Sequence, residues 1–399
     1  MRYELYKLFR KKTILILLSV GLIWLIAAPI VSAMQYSTVT EDMKPLKGFG
    51  AIRYDRELQN IYSGRIPLEE LEKLWNEAEA IRAEVEAGNE NAYWQQFNRC
   101  RVIVSVGART YYLPMYVQDA RESGDLSELY AGTIEKLPGE HGLVPAADPE
   151  SPIVKKVLAA YDHIDYPLYG AYMGGWEDFF NTIPFFFQYV VGLLIVIGVV
   201  LLFADETSTG TDAILLTTRY GKSRLLVAKV LAAMLYAVVL FSIFAIVAIV
   251  TQLCIYGTSS LPASIQLINR KSPYNLSIGG ALGLWLLFGL LASAAAAATA
   301  MLFSAVANNA FTAFVPAVLA YILPSFSYSG LSPLIHRCMK LLPSAVIGNI
   351  DTLFAAADYY NIFGLLVERK ILIIVCSVVF AVLFSCLSVW LYRRREPQR

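Results

Sequence analysis

The chain has 399 residues, 57% of them hydrophobic and only 16% charged, with a mean hydropathy of +0.52. Soluble domains carry about 25% charged and about 45 to 50% apolar residues, so this balance points to a membrane protein and excludes disordered, collagen-like and coiled-coil chains. With 33 Lys and Arg against 32 Asp and Glu, formal net charge +1, no global basic field steers the chain to nucleic acid.

The first residues, MRYELYKLFRKK, place Met1, Leu5, Leu8 and Phe9 on one helical face and Glu4, Lys7 and Lys11 on the other. Residues 1–12 therefore suit a short helix in the cytoplasmic membrane interface, or a plain basic flank that only fixes topology. Six apolar runs are long enough to cross a hydrocarbon core of ~30 Å: 13–33, 185–203, 230–256, 278–303, 311–328 and 371–392. The first competes with a cleaved signal, since Val31-Ser32-Ala33 has the look of a processing site. Its length exceeds the usual apolar stretch of about 7 to 15 residues, which favours a retained helix. In the fifth, Pro316 and Pro324 would kink or break the helix. The expected fold class is an all-α polytopic membrane protein with six transmembrane helices, an N-terminal interfacial helix and a domain between helices 1 and 2.

Charge sets the orientation. Arg2, Lys7, Arg10, Lys11 and Lys12 precede the first span, Arg219, Lys222, Arg224 and Lys229 lie in the 204–229 loop, and Arg393, Arg394, Arg395 and Arg399 are in the 393–399 tail. An even number of crossings puts these segments on one side, which the positive-inside rule makes cytoplasmic. The 34–184 segment carries 14 basic and 24 acidic residues and reads as an extracytoplasmic domain.

Within that domain the spacing predicts a helix over 67–87: Pro67 suits a first helical position, Leu68, Leu71, Trp75, Ala78, Ile81 and Val85 share a face, and Gly88-Asn89 stops it. Its glutamate-rich face reads as solvated. Residues 101–118 are open between strand and helix, and 138–152, with four prolines, reads as loop. The aromatics from Tyr161 to Phe180 suit an interfacial belt or, alternatively, a stacking platform for a ligand. Only Cys100 of the five cysteines falls in this domain, so it cannot close an internal disulfide, and the chain has no zinc spacing or CxxC pair. Asp162, His163 and Asp165 cluster, but on a Pro- and Tyr-rich surface segment where no metal is expected.

None of the six apolar runs contains Asp, Glu, Lys, Arg or His. Ion-coupled transporters, proton pumps and voltage sensors need ionisable groups inside the membrane, which disfavours those classes. Gln188 reads as an interhelical hydrogen bond or a lining of a substrate path. In the fourth run Gly279 and Gly283 stand in GxxxG register, continued by Gly289, Ser293 and Ala297. These permit close helix approach, within one bundle or across a dimer seam. Gly221-Lys222-Ser223 imitates the end of a phosphate-binding loop, but Leu216 stands where its first glycine is required. With no enzyme motif present, the energy for any transport must come from another chain.

The 204–229 loop opens with Asp205 and Glu206, continues through Gly210-Thr211, Ile214-Leu215-Leu216 and Thr217-Thr218-Arg219, and leads through Arg224 and Lys229 into the third span. Physically this is a short capped helix, a turn at Tyr220-Gly221 and a basic lead-in, shaped to dock in a groove of a soluble partner. It resembles the hallmark loop of the ABC type-2 exporter permease family. The likeness extends to the N-terminal amphipathic helix with Leu5, Lys7, Leu8, Phe9 and Lys11, to the six spans, and to a semi-apolar segment at 329–370. That segment, with Leu331-Ser332-Pro333 and Leu341-Leu342-Pro343, looks like partly re-entrant outer helices.

The resemblance implies a non-catalytic subunit with no cofactor of its own. ATP and Mg would bind a separate soluble ABC ATPase that contacts Asp205, Glu206, Gly210, Thr211, Arg219, Arg224 and Lys229. Twelve spans would come from a homodimer or a second permease. The cargo would be a hydrophobic or amphipathic molecule (an antimicrobial peptide, a drug-like compound or a lipid), and the location a bacterial cytoplasmic membrane with both termini cytoplasmic. The alternative is a membrane-anchored binding or sensor protein that uses the 34–184 domain.

Overall fold

The computed structural model describes residues 2–9, 12–40, 42–89, 100–123, 152–211, 214, 217–218, 221, 223–326, 333–348, 350–355 and 357–394. The fold is mostly helical with little sheet. Among the described residues, five helices are long and apolar enough to cross a membrane: Lys12–Gln35 (α2), Trp176–Ser208, Arg224–Tyr256 (α9), Ile278–Val306 (α10) and Arg369–Arg393 (α15). The expected run at 311–328 is a shorter apolar helix, Ala310–Ser325, in which α11 (Ala310–Ile322) carries Pro316 and passes into a 3-10 turn containing Pro324. An Asn309–Thr312 capping box starts α11 sharply.

α10 is the axis of the bundle, touching α15, α9, α11 and the second half of Trp176–Ser208. Its buried stripe is built from small residues, Ala292, Ser293, Ala296, Ala297 and Ala300, which lets the other backbones come close. Gly289 belongs to this packing, because a Cβ there would stand 2.0 Å from Phe241 Cζ of α9. Gly283, by contrast, has nothing within 4 Å of its would-be Cβ.

Trp176–Ser208 is a composite of α7 (Trp176–Phe186), a π turn at Phe187–Val191 and α8 (Gly192–Ser208), with Pro184 just before the turn. A π turn releases carbonyls from the α ladder. One of them, Gln188 O, accepts a 2.9 Å bond from the Tyr321 hydroxyl of α11. Gly192 makes that crossing possible, since any Cβ there would sit 1.7 Å from the same hydroxyl. α2 stands at the edge of the bundle against α9, with 17% of its apolar window buried.

Between α2 and α7 the chain builds a domain whose core is continuous with the bundle. It contains antiparallel β1 (Ser37–Val39) and β2 (Pro45–Lys47), α3 (Phe49–Asn60), α4 (Leu68–Glu86), α5 (Arg101–Ser123) and α6 (Pro152–Tyr161). A further short antiparallel pair joins β3 (Gly64–Arg65) to β4 (Tyr169–Gly170). α4 follows the predicted pattern, with Pro67 one position earlier as its cap and Leu71 and Ala78 buried. The ambiguous 101–118 stretch is helix, and Gly107 lets Trp75 of α4 lie on it, because a Cβ there would be 2.3 Å from the indole. The loop expected at 138–152 lies outside the described residues except for Pro152, which begins α6.

The domain is fastened to the α9–α10 connection by Arg109, whose Nε donates to Gln266 O at 2.8 Å and whose NH1 donates to Ser105 O at 3.0 Å. Burial, together with nearby Arg270, pulls this guanidinium down to about 10. The Tyr161 hydroxyl adds a 2.9 Å bond to Lys271 O.

The 329–370 segment is broken into short elements. Its described part forms three short helices, α12 (Pro333–Met339), α13 (Pro343–Gly348) and α14 (Ile350–Ala355), then a β-hairpin of β5 (Tyr359–Ile362) and β6 (Leu365–Glu368). Phe363 and Gly364 both take positive φ, at 51° and 89°, the requirement for a tight two-residue hairpin turn. Leu331 and Ser332 lie outside the described residues.

Candidate coupling site and membrane cavities

The composite α7–α8 helix and α9 both outrun the bilayer. A helix of 33 residues such as α9 is about 50 Å long at 1.5 Å per residue, against a hydrocarbon core of ~30 Å. The extensions of α8 and α9 beyond the apolar runs lie side by side with α1 (Arg2–Phe9), which contacts both.

At this junction Lys229 of α9 is completely buried, 0% exposed. Its Nζ donates a 2.8 Å bond to Leu202 O and stands 4.8 Å from the centre of the Phe203 ring. It lies 2.6 Å from Glu206 Oε2 of α8 and 3.9 Å from Glu4 Oε2 of α1. Both carboxylates are buried as well, each 4% exposed. The Glu206 contact is an ion pair off the hydrogen-bonding direction rather than an aligned hydrogen bond. A buried ammonium costs several kcal/mol unless opposite charge and hydrogen bonds surround it, and here α1 and α8 supply them. Ser304 of α10 secures the same level, its Oγ accepting from the backbone N–H groups of Phe203 and Ala204 at 3.0 and 3.1 Å.

This arrangement corrects the reading of Glu4. The helical wheel puts Glu4 on the polar side of the interfacial helix, whereas the structure turns it inward to Lys229 and exposes Tyr3 and Tyr6. The apolar runs stop short of Glu206 and Lys229, so they hide the fact that both charges lie within the continuous helices and are buried in protein.

Beyond Ser208 the chain leaves α8 through Thr209, whose hydroxyl bonds Asp205 O at 2.9 Å, and Gly210 in a left-handed conformation at φ +69°. Thr209 and Thr211 share a hydroxyl–hydroxyl bond of 3.0 Å, and Ile214 is 68% exposed. This is the loop that carries the sequence signature.

A family model for the ABC-2 family transporter protein matches residues 1–396, with the α1 and 204–229 signatures inside the match. The chain belongs to that family. It is therefore a multi-pass permease subunit of an ABC transporter. No curated protein and no solved structure matches the chain.

The predicted coupling residues of this ABC-2 permease fall into two groups. Glu206 and Lys229 are joined in the buried cluster, whereas Thr211 and Arg224 are exposed, with Asp205 between these extremes. Arg219 lies outside the described residues. Of the interfacial-helix residues, Leu5 is half-buried against the core, Lys11 lies outside the described residues, and the side chains of Lys7, Leu8 and Phe9 are likewise not described. Reading along the sequence missed Glu4 as the third ion, along with Leu202 and Ser304. The available signal was a basic residue five positions inside α9, too deep in the helix to be a simple flank.

Among the described residues no group of three His, Cys, Asp or Glu could hold a metal ion. Asp162 instead pairs with Arg121, and Asp165 lies 3.1 Å from Arg65. Gln188 is buried at the π turn, with its backbone carbonyl serving Tyr321.

Cavities occupy two flanks of the bundle. One of about 270 Å³ lies among α8, α10, α11, α13 and α15, with Thr299, Tyr321 and Ser344 on its wall. The other flank, between α2 and α7–α8, holds a groove of about 770 Å³ lined by Leu17, Trp24, Phe185, Phe186 and Leu193, with Asn181 and Thr182 at one end.

Proposed function

We propose that this permease subunit is an exporter half, moving a hydrophobic or amphipathic molecule outward with ATP and Mg bound and hydrolysed by a separate soluble ABC ATPase. The reading takes Ala310–Ser325 as a sixth crossing, places both termini in the cytoplasm of a bacterium and the domain between α2 and α7 outside, and completes the transporter as a homodimer or with a second permease. The observation that carries it is the Glu4–Lys229–Glu206 cluster. It welds α1 to the ends of α8 and α9, so a push on the exposed loop that joins those ends reaches the membrane helices as a rigid unit rather than being absorbed by a hinge. Thr211, Ile214, Arg219 and Arg224 are then the contact residues toward the ATPase, while Glu206 and Lys229 transmit the motion. The largely apolar lining of both cavity systems supports the class of cargo.

The test is co-expression with a soluble ABC ATPase subunit from the same genome. Ile214→Asp and Arg219→Glu should cut co-purification and permease-stimulated ATP turnover at least tenfold with the bundle intact. Unchanged assembly and turnover in both variants would refute the role of the loop.

A further inference from the structure

Three cavities line one flank of the molecule in series. The groove between α2 and α7–α8 meets a cavity of about 260 Å³ through shared walls at Trp24 and Thr182. That cavity in turn shares Gly175 and Asp178 with a chamber of about 210 Å³ in the domain above. Polarity changes in one direction along the series. The groove is aromatic and aliphatic from Leu17 to Trp24 and from Phe185 to Ile197. The chamber is walled by Tyr36, Gln59, Arg101, Ser105, Tyr172 and Glu177 together with the backbone from Ala171 to Gly175.

The chamber is built for a ligand. Gln59 is 3% and Tyr172 1% exposed, yet Gln59 Nε2 and the Tyr172 hydroxyl have no hydrogen-bond partner among the described residues. Leaving such groups unmade is costly, and native proteins rarely do so without a reason. The neighbouring polar groups are already occupied: Asp55 accepts from the Tyr36 and Thr38 hydroxyls at 2.5 and 2.9 Å. Arg101 is on the chamber wall, and its guanidinium opposes the upward shift that burial gives Tyr36 and Tyr172. The free donors therefore suit an anionic group, while Glu177 and Asp178 on the wall and rim suit a cationic one.

From Asn181 to Ile197 the groove follows about 24 Å of helix. Its side is open, with Phe185 64% and Trp24 42% exposed. We propose that this series is a binding track for a zwitterionic amphiphile drawn from the bilayer, with its apolar chain in the groove and its paired anionic and cationic head groups in the chamber. This deepens the exporter reading by naming the class of cargo and its place on the α2–α7 flank, and it rests on that reading for the direction of movement.

The test uses the full chain in nanodiscs and a lysophosphoethanolamine probe carrying a photoactivatable diazirine in its acyl chain, with adducts mapped by mass spectrometry. Adducts are expected on residues 17–24 and 185–197. Arg101→Gln and Gln59→Leu should each reduce them about tenfold at limiting probe, while Arg101→Lys retains more than Arg101→Gln and Glu69→Gln, on the exposed face of α4, changes nothing. The anionic-head analogue should label about tenfold less, and phosphoethanolamine without a chain should fail to compete. Equal labelling in both chamber variants, equal labelling by the anionic analogue, or full competition by the free head group would each overturn the track. Binding of the ATPase to the same nanodiscs, scored separately, reports on the exporter reading, so the two can fail independently.

Discussion

The two ends of the α2–α7–α8–α9 packing hold polar groups in opposite states. At the α8–α9 end, Lys229 has carboxylates from α1 and α8, a carbonyl and an aromatic face around it, and no cavity of the series reaches it. At the α2–α7 end, Gln59 and Tyr172 are as deeply buried and line a chamber, but Gln59 Nε2 and the Tyr172 hydroxyl have no hydrogen-bond partner among the described residues. Burial alone therefore does not separate a structural polar group from a binding one. What separates them is whether the chain itself completes the hydrogen bonds and charge pairs. The first end is suited to carrying force and the second to accepting a molecule.

Substitutions should break this contrast with opposite signs. Lys229→Met leaves two buried carboxylates facing each other without their cation, and breaking a buried pair costs about 3 to 5 kcal/mol. Denaturant titration in nanodiscs should show that loss, and the Lys229→Met/Glu206→Gln pair should recover most of it. A double variant no better than the single one would show that the cluster is not acting as an ion pair. Next in size is Asp55→Ala, which removes the acceptor shared by Tyr36 and Thr38. Hydrogen bonds to a charged group contribute roughly 1.5 to 3 kcal/mol, so a loss of about 2 kcal/mol in the same titration is expected. Gln59→Leu should fall on the other side of zero. It deletes a buried donor that has no protein partner, so ligand-free stability should stay level or rise by up to about 1 kcal/mol. A loss of 2 kcal/mol or more in this variant would mean that Gln59 is structural after all.

The sequence makes the long helices legible because their apolar runs exceed the bilayer thickness, and four of the five begin or end within a few residues of those runs. The second is different: α7 starts at Trp176, nine residues before the expected span, because the end of the aromatic stretch read as an interfacial belt, Trp176 to Phe180, is already helical. The 204–229 signature and the amphipathic start are equally legible, and they pointed to the family. What stayed hidden depends on contacts between elements far apart in the chain. Glu4 finds Lys229 across 225 positions, and a helical wheel drawn for α1 alone has no means of knowing that its acidic side faces another helix. The chamber joins Gln59 of α3, Arg101 of α5 and Tyr172 ahead of α7, three residues with no shared spacing. The β5–β6 hairpin went unread because its turn relies on Phe363 at positive φ, which the residue type alone does not suggest.

The smallest effect expected belongs to a polar group at neither end. Asp165 lies in the open on the domain, bonded to Asn275 and Arg65, and these contacts hold its carboxyl below the usual range. A carboxylate whose folded pKa is depressed adds stability above its unfolded pKa of about 3.9 and loses it as pH falls through the lower folded value. Because the pair is exposed, solvent screens it and the gain is small. Thermal melts of wild type and Asp165→Asn should differ slightly at pH 7 and converge as pH approaches 3, with the gap narrowing further in high salt. A gap that persisted unchanged through pH 3 would mean that Asp165 acts by shape rather than by charge, unlike the buried Lys229 cluster.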